Sequence, residues 1–99
     1  MPNTLSPITP GEILKEEFME PNGISASRLA RDLDVPANRI SEIIAGRRTI
    51  TADTALRLGL YFGIEPEFWL NLQNHHDLRL AQAAAGDAIA QRVRPIQTA

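Results

Sequence analysis

Between residues 37 and 51 the chain reads ANRISEIIAGRRTIT. Five side chains in this stretch carry groups that match the edges of base pairs. Asn38 has a carboxamide that can pair in two-fold fashion with adenine, and Arg39 a guanidinium that can do the same with guanine. The Ala37 methyl can lie against a thymine methyl, Ser41 can donate or accept, and Glu42 can accept from cytosine or repel a misplaced phosphate. Arg47, Arg48 and Thr49 follow directly, and Arg28 lies upstream. A guanidinium fork suits phosphate oxygens, so these four residues are the candidate phosphate contacts. The competing reading of 37–45 is an ordinary amphipathic helix with a solvated polar face, and of Arg47 and Arg48 a solvated loop. Arg57 and Arg79 read as surface or ion-pair residues.

Other chemistry is poorly supported. His75 and His76 are adjacent; on a helix neighbours point about 100° apart, so they do not form the i, i+4 pair that clasps zinc. They fit a structural or interfacial role. The chain has no cysteine, no nucleophile–base pairing, no metal-ligand spacing and no glycine-rich phosphate cradle. The expectation is a protein that is not an enzyme and uses no cofactor and no metal.

The elements that must position the basic stretch can be read from caps and breaks. Thr9-Pro10-Gly11-Glu12 opens a first helix with a capping box. Ile13, Leu14 and Phe18 form its apolar side, and Pro21-Asn22-Gly23 ends it. Ser25 caps a second helix, Ala26 to Leu33, with Leu29 and Leu33 inward and Ala30 small enough for a close helix crossing. Asp34-Val35-Pro36 is a tight break that requires a residue tolerant of left-handed backbone, and Asp34 supplies one. A third helix covers 37–45, held by Ile40, Ile43 and Ile44 and stopped by Gly46. Thr51 caps a fourth to about Phe62, closed by Gly63, and Pro66 starts a fifth to about Ala85, where Gly86 ends or weakens it; residues 87–94 can add a short turn of helix before Pro95. No strand pattern or repeat is present. Two short helices joined by a tight turn match the helix-turn-helix arrangement, so the fold class is all-α: a five-helix domain with a helix-turn-helix and a long last helix.

Ninety-nine residues allow one small domain. The division reads as a flexible lead-in over 1–8, a DNA-binding domain with a dimerising last helix over 9–86, and a tail over 87–99. The net charge of −2 argues weakly against nucleic acid, but its distribution matters more. Residues 1–24 hold four glutamates against Lys15, whereas residues 25–57 hold six arginines against four acids. A locally positive face can bind a duplex despite the negative total, with strong salt dependence. No apolar run approaches the length needed to span a bilayer and no signal-peptide core is present, so the chain reads as a cytoplasmic protein with no membrane partner.

At this point the sequence resembles a known family. The Ser25–Leu33 helix, DVPANRISEIIAGRR, TITADTALRLGLYFGIEPEFWLNLQ and the PGEILKEEF opening look like HigA/VapI-type antitoxins of the Cro/phage-repressor (XRE) class of helix-turn-helix proteins. The resemblance covers about residues 7–80. It implies a homodimer that represses its own operon at an inverted-repeat operator in double-stranded DNA, and a cognate toxin protein similar to the RelE-like messenger-RNA nucleases. Matched by position, it places base reading at Ala37, Asn38, Arg39, Ser41 and Glu42, and phosphate contact at Arg47, Arg48 and Thr49. Asp34 stands where the class often has glycine, and Pro36 where a capping serine or threonine is common. A stand-alone phage- or restriction-type regulator without a toxin is the alternative.

The fifth helix has two apolar sides. Phe68, Trp69, Leu72 and Leu80 are expected on the core, with Trp69 as anchor. Leu70, Leu78, Ala81 and Ala85 are expected to meet a second copy, because so long a helix on so small a domain rarely buries two sides alone.

Overall fold

The computed structural model describes residues 8–97, and every regular element among them is helical. Most of the 1–8 lead-in therefore lies outside the described residues. Helix α1 (Pro10–Ile13) begins with the expected capping box: the Thr9 hydroxyl accepts from the Glu12 amide at 3.1 Å, and the Glu12 carboxylate accepts from the Thr9 amide at 3.0 Å. The helix then widens into a π-helical stretch, Leu14–Met19. An i→i+5 ladder brings residues five apart onto one face, and Leu14 and Met19 are both buried.

Helices α2 (Ala26–Leu33) and α3 (Ala37–Ile44) form the expected pair. The Ser25 hydroxyl caps α2 by accepting from the Arg28 amide. Asp34 takes the left-handed conformation, with φ 59° and ψ 49°, and the following Val35 amide donates back to the Ala30 carbonyl at 3.0 Å. This is the hydrogen-bond closure of a helix end that reverses the chain tightly. Helix α4 (Ala52–Phe62) departs from expectation at its start. Thr51 occupies the cap position with extended backbone, but its side chain makes no capping bond; Asp53 supplies the negative charge in the first turn. Gly63 closes α4 in the left-handed conformation.

Helix α5 (Pro66–Arg92) runs through Gly86 instead of stopping near Ala85. Alanines on both sides of Gly86 outweigh a penalty of about 1 kcal/mol for a glycine inside a helix. The residues expected at the start of the tail are thus helical as far as Arg92.

The core comprises Leu14, Leu29, Ile40, Ile43, Leu58 and Trp69, all fully buried. Trp69 meets Phe18 at 4.8 Å and Phe68 at 5.0 Å between ring centroids, spacings that favour tilted and edge-to-face aromatic packing. Leu80 does not join it: the residue is 45% exposed and lines an open recess beside Thr9, Pro10 and Ile43 instead of packing into the core. Two contacts fix α3 and the segment that follows it. Gly11 lies against the end of α3, where a Cβ would run into the Ile43 carbonyl. Buried Gln73 accepts from the Ile50 amide at 2.8 Å and donates to Asp77 at 2.9 Å, tying the segment before α4 to α5.

Candidate nucleic-acid interface

Helix α3 is only eight residues long, too short to persist without tertiary support. Ile40 and Ile43 are fully buried and Ile44 half-buried, which fixes the rotation of the helix on the body. The opposite side carries Ala37, Asn38 and Ser41, all exposed, with Arg39 and Glu42 half-buried at its flanks. The five candidate base-reading residues therefore share the outward side of α3. Ser41 donates to the Asn38 carbonyl at 3.3 Å, a local bond that leaves the Asn38 carboxamide uncommitted.

The flanks hold side-chain pairs. The Arg48 guanidinium grips Glu42 with Nη2–Oε1 at 2.6 Å and Nε–Oε1 at 2.8 Å. Glu42 thus points toward the basic loop, and Arg48 is partly neutralised by it. Arg47 and Thr49 are exposed, and Arg47 makes no ion pair among the described residues. Arg39 reaches across to α4, where its Nη1 lies 2.7 Å from Asp53 Oδ2. Arg57 donates to the same carboxylate at 3.0 Å, and its Nη1 also donates to the Leu33 and Asp34 carbonyls at 2.8 and 3.2 Å. The hydrogen bond from Arg57 first, and that from Arg39 next, hold the Asp53 carboxyl below its ordinary value. Arg28 lies farther back on α2, with Nε 3.5 Å from Asp32. Tyr61 also donates to Asp32, at 2.7 Å, and this bond pushes the phenol pKa up. An open recess beside α4 collects Arg39, Arg48, Thr49, Thr51, Asp53 and Arg57.

Several of these pairings have no counterpart in the sequence reading. Asp53–Arg57 and Arg28–Asp32 carry the local signal of i, i+4 spacing; the bonds from Arg39 to Asp53 and from Arg57 to the turn carbonyls join residues 14, 24 and 23 apart.

The expected second-copy face of α5 is uneven. Leu78 is 58% exposed and Ala81 exposed, Ala85 is half-buried, and Leu70 packs partly on the core. Leu56 and Leu60 on α4 are also exposed, which the sequence pattern did not single out. His75 bonds Arg79 at 3.1 Å one turn along α5. Among the described residues no group of three or more His, Cys, Asp or Glu is placed to hold a metal ion, and no helix is long and apolar enough to cross a membrane.

Comparison with known proteins bears on this arrangement. A family model described as helix-turn-helix matches residues 15–69. Virulence-associated protein I of Dichelobacter nodosus is 51% identical over 80 residues, covering 81% of this chain and 74% of that one. An addiction module antidote protein of the HigA family from Coxiella burnetii superposes with a TM-score of 0.87 at 49% identity, over 92% of this chain and 99% of that one. The Pseudomonas aeruginosa antitoxin HigA, solved with the higBA promoter, superposes with a TM-score of 0.88 at 44% identity, again over 92% and 99%.

Proposed function

This chain belongs to the helix-turn-helix family, among its HigA-type antitoxins, and we propose that it works as a dimeric, sequence-specific repressor of its own operon that also silences a RelE-like, messenger-RNA-cleaving toxin in the cytoplasm. The observation that carries the DNA-reading part is the row Ala37–Asn38–Ser41, presented outward by a helix whose other side is clamped by Ile40 and Ile43. Such a helix enters the major groove while the adjoining loop meets the backbone. Ala37, Asn38, Arg39 and Ser41 read base edges, with Glu42 set beside them by Arg48. Arg47, Thr49, Arg48 and, at the far edge, Arg28 take phosphates. Two-fold pairing through Leu78, Ala81, Ala85 and part of Leu70 would set the two α3 helices about 34 Å apart, one turn of an inverted-repeat duplex. The acidic residues elsewhere weaken non-specific attraction, and binding falls steeply with salt.

The direct test is a gel shift with the duplex upstream of the protein's own reading frame. The folded dimer retards it at low salt; no retardation defeats the proposal. Asn38→Ala relaxes preference at one base position, at a cost of about 1–3 kcal/mol there, whereas Arg47→Ala weakens all duplexes alike and flattens the salt slope. Equal losses on every duplex for both variants would refute the division of roles. For the toxin part, co-expression with the adjacent reading frame restores growth and yields a complex on pull-down; a neighbouring frame with no effect on growth favours a stand-alone regulator.

A further inference from the structure

Arg39 differs from the other outward residues of α3 in being held by a second helix. Its Nη1 donates to Asp53 Oδ2, and its side chain is 28% exposed. Asp53 is itself anchored. Arg57 donates to the same oxygen one turn along α4, and Arg57 is bound in turn to the Leu33 and Asp34 carbonyls, the backbone of the tight reversal between α2 and α3. A continuous relay therefore runs from the helix-turn-helix turn through Arg57 and Asp53 to the guanidinium of Arg39. A guanidinium has five N–H donors. Among the described residues only Nη1 of Arg39 is engaged, so the Nε–Nη2 edge, one of the two-pronged edges that can meet guanine O6 and N7, is left over.

We propose that Asp53 is the positioning residue for Arg39: by fixing the guanidinium with one edge unpaired, it sets base preference at the position Arg39 reads, without itself touching DNA. The inference rests on the reading of α3 as the DNA-reading helix. Arginine has several rotatable bonds to immobilise on binding, and a side chain immobilised beforehand loses less freedom on contact. A guanidinium free to swing can find any nearby phosphate; one tethered to α4 meets a restricted position in the groove. The carboxylate belongs in that place electrostatically, since it occupies the first turn of α4, where a negative charge is favoured. Two guanidiniums offset its charge, which reduces the repulsion it would otherwise offer to a phosphate backbone. They also hold its carboxyl below the ordinary carboxylate value.

Asp53→Ala and the isosteric Asp53→Asn separate this role from general charge. Equilibrium binding is measured on the duplex from upstream of the protein's own reading frame and on the same duplex with shuffled sequence, for wild type, each Asp53 variant, Arg39→Ala and the Arg39→Ala/Asp53→Ala double variant. Asp53→Ala lowers the ratio of the two affinities about tenfold, the order expected for one two-pronged base contact, and raises affinity for the shuffled duplex because a negative charge is gone. Asp53→Asn gives a smaller drop. In the Arg39→Ala background, Asp53→Ala leaves the ratio unchanged. If Asp53→Ala shifts both affinities by one common factor, or changes the ratio equally with and without Arg39, the assignment is overturned. It is also overturned if the variants melt earlier yet keep the wild-type ratio. A wild type that does not discriminate between the duplexes brings down the DNA-reading function and this assignment together; a discriminating wild type with an indifferent Asp53 brings down the assignment alone.

Discussion

Helices α3 and α5 solve opposite problems. The first has eight residues, two of them fully buried isoleucines, and its flanking arginine and glutamate are paired to side chains of other segments. The second has 27 residues, of which only Trp69 and Gln73 are buried. A short helix gains little from its own hydrogen bonds, so its placement comes from the body. A long, alanine-rich helix sustains itself and leaves surface uncommitted. The contrast teaches that an orientation-critical element is best built where tertiary contacts outnumber local ones, and that a self-supporting one can project toward a partner.

The comparison can be broken most forcefully at the largest buried anchor of α5. Trp69→Ala should cost about 3–5 kcal/mol, the range for removing a buried large aromatic, measured as a shift in the urea midpoint. A loss below about 1 kcal/mol would mean that α5 is not held by its first turns. Leu78→Ala, farther along, sharpens the contrast. In dilute protein it should leave folding stability within about 1 kcal/mol of wild type, since an exposed side chain is lost. Under the proposed pairing through α5, dimer affinity measured by sedimentation should still fall about tenfold, as for a substantial interface side chain. Unchanged dimerisation would place the interface elsewhere, with exposed Leu56 and Leu60 as the next residues to substitute.

The smallest effect expected comes from the charge relay. The Asp53 carboxyl is held below its ordinary value by Arg57 and Arg39, so its contribution is present above the ordinary carboxylate range. It fades as pH falls through the lowered value. The melting temperature of wild type should therefore drop below about pH 4 slightly more than that of Asp53→Asn, by little because the pair is exposed to solvent. Parallel acid curves would remove the relay from the stability of the fold. At the alkaline end the sign reverses. The Tyr61 phenol is pushed up by its bond to Asp32, so that bond contributes fully below the ordinary tyrosine range and is lost as pH rises through the raised value.

Much of the architecture was legible because it is local. The Thr9–Glu12 capping box, the Ser25 cap, the left-handed Asp34 and Gly63, and the inward Ile40 and Ile43 each depend on residues within one or two turns. Local signals were insufficient at a few positions. Thr51 is a good capping residue by type, yet it makes no capping bond, and Gly86 is a poor helix former that its alanine-rich neighbours overrule. Leu80 continues the apolar spacing of Trp69 but stays 45% exposed, at the edge of a recess that it lines with Thr9, Pro10 and Ile43.

The outward row of α3 follows from a 3.6-residue period: once the isoleucines face in, Ala37, Asn38 and Ser41 face out. That period and the caps are written in neighbouring residues, so the chain alone determines five helices and the wet side of α3, but not the wet sides of α4 and α5, where Leu56, Leu60, Leu70 and Leu80 depart from the pattern. Tertiary structure alone decides what the charged flanks do. Whether Arg39 meets Asp53, Arg57 the turn, Glu42 the loop arginine, or Gln73 the Ile50 amide depends on how helices distant in sequence cross. Long polar side chains have many partners within reach, and only the packed backbone leaves each with one.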